Sequence, residues 1–476
     1  MSVFECIQRR QYGYGAPPAD ILMNYASRKM PLLFEEREYH LGTLNKVFAA
    51  QWLSENQVVC ATKCNKLFVL DLKTGERVVI PSLQGASSAN PSSVEHSGNH
   101  SVAINPSGTL LATGGKDPLT LAIYTLPSFD PRHLGQGCHN DWIFSIVWLD
   151  DKFLVTGSRD SSVAVWKIEE SSQSEQHLVR KQPHSQTASD SHTEQLHSQT
   201  ASDSSAEELH SETAADSSGV AVSCHLRAAN SSTGQLHSQT AEDSSTGQLH
   251  RQTAEDSDVH LPSYSNIQSV VRKTCSLGEK VRAVVFNSRS EEVVGLTSNG
   301  YLNVWNVNGK RCKNGYLTSV GEVFSAAAPF ARENTSLTLD PERGLFAVGS
   351  QSHVSFLDAA TMKHVLNVPS KDKGTGVRSI SFRGDVVTMG TGAGSLLFYD
   401  VRARRFLDCN CGMTLRLRSG DGWLKYDEMY HGFFSDQLHF PNAVYAHLYD
   451  PAGVRLFTAG GPLPAGLWGN YAALWS

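Results

Sequence analysis

Apolar and polar residues alternate along residues 137–168 in three short runs, opened by Gly137-Cys-His139 and ending near Trp166, with turn-forming residues between them. Alternation turns successive side chains to opposite faces of a strand, so the segment reads as three strands of one sheet. A Trp at this place after a Gly-x-His opening marks one blade of a WD-repeat β-propeller. His139, Thr156, Asp160 and Trp166 are spaced to link imidazole, carboxylate, hydroxyl and indole N–H into one hydrogen-bonded chain, a structural pin rather than a catalytic group. A lone blade cannot bury its faces, so copies are expected.

The same rhythm recurs. Residues 47–53, 58–62, 67–72 and 77–81 form a first blade with Thr74-Gly75 as a turn, and 102–105, 110–114 and 121–126 form a second around Asn105-Pro-Ser-Gly108. The Gly137 blade is third. Residues 281–286, 293–297 and 301–307 make a fourth, 335–339, 345–349 and 354–357 a fifth, 377–382, 386–390 and 396–401 a sixth, and 443–449, 456–459 and 472–475 a seventh. The expected fold is therefore all-β, a seven-bladed WD40 β-propeller over residues 34–476. Its seventh blade ends on a third strand, and residues 38–42 are expected to supply the outer one, closing the ring and covering its edge. Residues 1–33 carry two weakly helical stretches, 4–11 and 20–33, with Asp20 as the cap of the second, and read as a helical hairpin outside the ring.

One stretch breaks the rhythm. Between blades three and four, residues 171–258 repeat a His-Ser-Gln-Thr-Ala motif, with His184, His197 and His210, then His237 and His250, at a 13-residue step, and contain no Phe, Tyr or Trp. Such a segment cannot offset its ordering entropy, so a disordered low-complexity insert is expected. It also masks a charge asymmetry: its thirteen acidic and four basic residues give −9, so the remainder carries +3 of the chain's −6.

The folded part is thus mildly basic, and the placement of its bases matters. In a propeller, the start of each innermost strand and the loop joining second to third strand converge on one mouth of the central channel. Lys46, Lys280, Arg282 and Arg378 stand at inner-strand starts, and Lys63 and Arg159 in second-to-third-strand loops. Asp141 and Asp160 are the acidic exceptions. A funnel of this kind suits a carboxylate-bearing peptide end. The connector 409–441, with Trp423, Tyr426, Tyr430, Phe433, Phe434 and Phe440, enters the same face as a wall, a lid or plain packing.

Other classes recede. No apolar run reaches the roughly 18 residues of a membrane span, the first residues are charged rather than leader-like, and nine Cys without paired zinc spacing read as free thiols. An intracellular protein is expected, cytoplasmic with the nucleus open. No cofactor, metal or enzyme motif is expected, since Gly390-Thr-Gly-Ala-Gly394 sits at a strand turn with no helix after it.

Four strings carry a further likeness: His40-Leu-Gly-Thr-Leu-Asn-Lys-Val-Phe-Ala, Asp141-Trp-Ile-Phe-Ser-Ile, Gly394-Ser-Leu-Leu-Phe-Tyr-Asp-Val-Arg402, and Ala459-Gly-Gly-Pro-Leu-Pro-Ala-Gly-Leu-Trp-Gly-Asn-Tyr-Ala-Ala-Leu-Trp-Ser476. The chain resembles the DNA-damage-binding-protein-one- and cullin-four-associated factor twelve family, in its "like" branch. The resemblance implies a non-catalytic substrate receptor of a cullin-RING ubiquitin ligase that recognises Glu-Glu type C-termini, with Lys46, Lys63, Arg159, Lys280, Arg282 and Arg378 at the pocket. It also implies that Asp400 and Arg402, in Tyr399-Asp-Val-Arg402, meet the adaptor, DNA-damage-binding protein one, on the opposite face beside the hairpin. Neither a nucleic acid nor a membrane is expected as a partner. A scaffold without a ligase, or a reader of phosphopeptides, is the alternative.

Overall fold

A computed structural model divides the chain into two units, Met1–Ser171 with His260–Ser476, and Ser172–Val259. The structure describes residues 8, 11–13, 19–84, 98–169, 264–275, 279–307, 317–318, 326–327, 335–372, 374–409, 411–434 and 440–476, all in the first unit. The repeat at 171–258 and nearly all of the helical stretch at 4–11 lie outside the described residues.

Seven sheets, antiparallel apart from one added edge strand, follow one another along the first unit, the first six running from an inner to an outer strand in chain order, and together they make a seven-bladed β-propeller. Period-two alternation explains why the ring has no single core. In the strand Gln57–Thr62, Val58 and Cys60 point into the cluster shared with blade seven, while Val59 and Ala61 point into the cluster shared with blade two. Blade three repeats the division: Leu154 and Ala164 face blade two, whereas Val155, Val163 and Val165 face blade four. Each strand that is apolar on both faces is sandwiched between neighbours, so burial is distributed over the blade junctions.

Closure comes from Glu36–Glu38, which pairs antiparallel with the last strand, Gly469–Trp475, placing Glu36 opposite Trp475 and Glu38 opposite Ala473. The pairing lies just upstream of the expected 38–42. The reason is packing: Tyr39 and Leu41 are drawn into the junction of blades seven and one, Tyr39 donating its hydroxyl to the Leu72 carbonyl at 2.8 Å, and Gly42 turns the chain at φ +58°.

Blade three corrects a second boundary. Its outer strand is Ser269–Thr274, paired with Ser162–Lys167, so in chain order residues 170–263 come before the last strand of this blade and not after it. This outer strand alternates half-buried and exposed residues and lacks the apolar run that marks inner strands. The preceding Ser265–Ile267 adds in parallel to Asp130–Gly135 of blade two.

The pin of blade three is a closed circuit. His139 Nε2 and the Trp166 indole N–H both meet Thr156 Oγ1, at 2.7 and 2.9 Å, and His139 Nδ1 faces Ser162 Oγ at 3.1 Å and Asp160 at 3.4 Å. Burial works against the Asp160 charge, but hydrogen bonds from His139, Ser162 and the Asn140 N–H outweigh it and hold the carboxyl below its usual range. Ser162 and Arg272, which donates to Asp160 at 3.0 Å, complete the circuit.

Below the ring the N-terminal helix, Ala19–Lys29, continues into a short 3-10 turn, Met30–Leu32. Its described range begins at Ala19, and Asp20 lies within that range. Among the described residues no helix is long and apolar enough to cross a membrane.

Candidate binding site at the channel mouth

Five innermost strands carry the same irregularity near their start. The pairing register skips Phe48, Phe144, Arg282, Arg378 and Tyr445, each an extra residue opposite one on the next strand. A bulge of this kind bends the strand and re-aims a side chain, and here all five half-buried side chains turn to the channel. Phe48 meets Tyr445 edge-on at 5.2 Å and stacks on His100 at 4.5 Å; the Arg282 guanidinium lies over the Phe144 ring at 4.5 Å. Tyr445 of blade seven feels the positive charge of both Arg378 and Arg282, from blades six and four, although burial still raises its hydroxyl pKa. Groups from blades that do not adjoin can approach like this only across the lumen.

The six expected bases occupy three settings. Lys46 is 1% exposed, and its ammonium donates to the Pro464 carbonyl at 2.6 Å, while the Lys63 ammonium donates to the next carbonyl, Ala465, at 2.5 Å. Burial, then the neighbouring Lys63, brings the Lys46 pKa down to about 7, and burial also lowers that of Lys63. Arg282 and Arg378 flank Tyr445, Arg378 donating from Nε to the Thr375 carbonyl at 3.1 Å. Arg159 lies over Trp142 at 4.8 Å and faces Asp141 at 3.5 Å, so part of its charge is met locally. Lys280 stands exposed two residues before Arg282.

Two features escape a reading of charge alone. The aromatic lining by Phe48, Tyr445, Phe144, His100 and Trp142 gives the basic mouth an apolar throat. Its signal was present in the sequence as a β-branched residue, the bulge residue and then Ala or Ser: Val47-Phe48-Ala49, Ile143-Phe144-Ser145, Val281-Arg282-Ala283, Val377-Arg378-Ser379 and Val444-Tyr445-Ala446. The burial of Lys46 had no such signal, because the loop that covers it comes from the far end of the chain.

That loop is braced by the connector. Asp427 caps the short helix Glu428–Phe433, accepting the Tyr430 N–H at 3.1 Å, and Tyr430, Phe440 and Leu467 form a small core with Leu424 and Phe434. Met429 packs on Gly466, next to the carbonyls that hold the two lysines, while Tyr426 and Phe433 stay 62% and 75% exposed at the rim. The connector is thus both packed and part of the wall.

On the opposite face charges are met by charges. Arg28 of the N-terminal helix bridges Asp385 and Asp400 at 2.6 Å each, and Arg343 bridges Asp340 and Asp385 at 2.6 and 2.5 Å. Asn24 adds a bond from the Asp385 N–H at 2.8 Å. Burial opposes the Asp400 charge, but the bond from Arg28 and the Ala403 N–H keep its carboxyl below the ordinary pKa. Asp400 is 3% exposed and fastens the chain's own N-terminal helix through Arg28. Arg402 is exposed and lines a cleft of about 490 Å³ with Arg28, Leu32 and Arg405. Among the described residues no group of three or more His, Cys, Asp or Glu is placed to hold a metal.

Comparison with known proteins gives an extensive family match. The family described as DDB1- and CUL4-associated factor 12 beta propeller matches residues 30–246 and 235–476. A short stretch is also similar to telomerase protein component 1 of Rattus norvegicus, 35% identical over 69 residues, 14% of this chain and 3% of that protein. The chain spans a small fraction of that relative's length, so the likeness carries no assignment.

Proposed function

The chain belongs to the DDB1- and CUL4-associated factor 12 β-propeller family, and from that premise we propose that it is a non-catalytic substrate receptor of a DDB1/CUL4 ubiquitin ligase that takes acidic, Glu-Glu type protein C-termini at the channel mouth. One observation supports this reading above the others: at the mouth, Lys46 and Lys63 are held by backbone carbonyls, whose dipoles orient an ammonium without cancelling its charge, while Arg282 and Arg378 flank one ring in the lumen. A chain ending in Glu-Glu brings three carboxylates within a few ångströms, a match for two guanidinium and two ammonium groups from three blades. Each charge-assisted bond contributes about 1.5–3 kcal/mol, so a few give micromolar affinity. The aromatic throat packs the methylene stems, and Tyr426 and Phe433 border the path of the preceding residues.

Attachment to the adaptor belongs to the other face. The N-terminal helix leaves Leu22, Met23 and Tyr25 between 42% and 49% exposed, an apolar strip suited to a groove on a partner. Arg402 and the cleft beside Arg28 extend it. In this arrangement Asp385 and Asp400 act by fixing the helix.

Fluorescence anisotropy with a labelled peptide ending in free Glu-Glu, and with its C-terminally amidated copy, tests the substrate half. Binding that amidation removes supports a tail receptor; equal binding of both, or preference for an internal phosphopeptide, overturns it. Copurification of DDB1 with the chain, lost on Leu22→Asp and Tyr25→Asp together, tests the adaptor half.

A further inference from the structure

Five of the six described cysteines fall into two kinds, and the half-buried Cys64 stands apart from both. Cys60, Cys138 and Cys275 are buried at blade junctions or beside them, and burial pushes each thiol up, that of Cys275 to about 12. Such thiols are inert. Cys409 and Cys411 instead occupy the tip of a hairpin after blade six. Asp408 bridges to Thr414, the Cys409 N–H donates to the Met413 carbonyl at 2.8 Å, and the Gly412 N–H donates to the Cys409 carbonyl at 2.9 Å, closing a four-residue turn with Gly412 at φ +78°.

The first and third residues of such a turn lie within the roughly 4.4–6.8 Å Cα separation that a disulfide spans. Cys411 is exposed, and Cys409 is half-buried, packed against the cluster between blades six and seven. The Cys411 side chain hydrogen-bonds Cys409 and, with backbone N–H groups at the tip, draws the Cys409 thiol below its ordinary pKa, the reverse of the buried cysteines. One sulfur is therefore activated, and a second stands within reach of it.

We propose that Cys409 and Cys411 form a reactive dithiol that exchanges with low-molecular-weight disulfides of the glutathione class and closes to an internal disulfide. The Cys409 thiolate attacks one sulfur of the external disulfide, whose S–S bond breaks to release one thiol and leave a mixed disulfide on Cys409. Cys411 then loses its proton to water and attacks the Cys409 sulfur, expelling the second thiol. Two protein thiols are oxidised, and one external disulfide is reduced to two thiols. Leu407 and Asp408, which lead into the tip, line the cleft against Arg28 and Arg402, so the exchange takes place beside the docked N-terminal helix. This rests on the hairpin alone and stands whether or not acidic tails bind.

The test equilibrates the full chain with oxidised and reduced glutathione, blocks remaining thiols, and reads the 409–411 peptide by mass spectrometry. A disulfide within that peptide is expected in the wild type. Cys411→Ser is expected to accumulate a glutathione adduct on Cys409, and Cys409→Ser an adduct on Cys411 about tenfold more slowly. The proposal is overturned if the wild-type peptide stays reduced when oxidised glutathione is in excess, or if the adduct of Cys411→Ser forms no faster than one on the half-buried Cys64. Thermal melting checks both variants; should either fail to fold, the wild-type peptide decides.

Discussion

The two faces of this propeller use the same cationic side chains in opposite ways. At the bottom, Arg28 and Arg343 are closed into a network with Asp340, Asp385 and Asp400, all at 2.5–2.6 Å, and their charge is spent on holding a helix to the ring. At the mouth, Lys46 and Lys63 meet carbonyl oxygens, and Arg282 meets the face of Phe144. A carboxylate cancels a cation; a carbonyl or a ring only aims it. The difference teaches that a basic residue's use is set by its partners and not by its charge.

The sharpest way to break this comparison is to reverse charge at the mouth. Arg282→Glu is expected to weaken binding of a Glu-Glu peptide by about a hundredfold or more, since one charge-assisted bond is lost and a repulsion gained, while the melting temperature stays near that of the wild type. Unaltered affinity would remove Arg282 from the site. The converse substitution, Asp385→Ala, leaves two guanidinium groups short of a carboxylate, and because both are about 30% exposed the cost is expected at about 2–3 kcal/mol in chemical denaturation. Proteolysis of the N-terminal helix should quicken, with peptide affinity unchanged; a loss of affinity would mean the faces are coupled.

Smaller effects sharpen the picture of the throat. Phe48→Ala removes the ring that links Tyr445 to His100 and is expected to lower peptide affinity by about tenfold, roughly 1.4 kcal/mol. An unchanged titration would confine recognition to the charges. The smallest expected effect is that of pH. Burial holds the Lys46 pKa at about 7, so the mouth is most positive below that value and loses a charge as pH rises through it. Peptide affinity is therefore expected to fall a few-fold between about pH 6 and about pH 8, with proton uptake on binding in the upper half, measurable by calorimetry in two buffers. Stability runs the other way. The folded pKa lies below the ordinary 10.5, so the cost of charging Lys46 is present below about 7 and is relieved as pH rises toward 10.5. Lys46→Met should abolish both trends.

Much of this architecture was legible in the residues. Alternation and short apolar runs located the inner and middle strands of all seven blades, the middle ones being apolar on both faces, as Val58 to Ala61 show. Outer strands were harder: Ser269–Thr274 alternates weakly and sits beyond a long interruption, so only its pairing with Ser162–Lys167 reveals that the interruption comes before the last strand of blade three. Asp400 was legible as a bottom-face residue, but its commitment to Arg28, 372 positions away, was not.

By itself the sequence determined the ring and the residue types along its channel, because strand periodicity and turn chemistry are local and each blade repeats them. Only the tertiary structure decided which charges remain available to a partner. Two carbonyls near the chain's end bury Lys46 and aim Lys63, five bulges turn aromatic and guanidinium groups into one lumen, and a helix from the chain's beginning takes up the bottom carboxylates. Electrostatic partnership depends on distance in space, and closing a ring brings together groups that periodicity along the chain cannot relate.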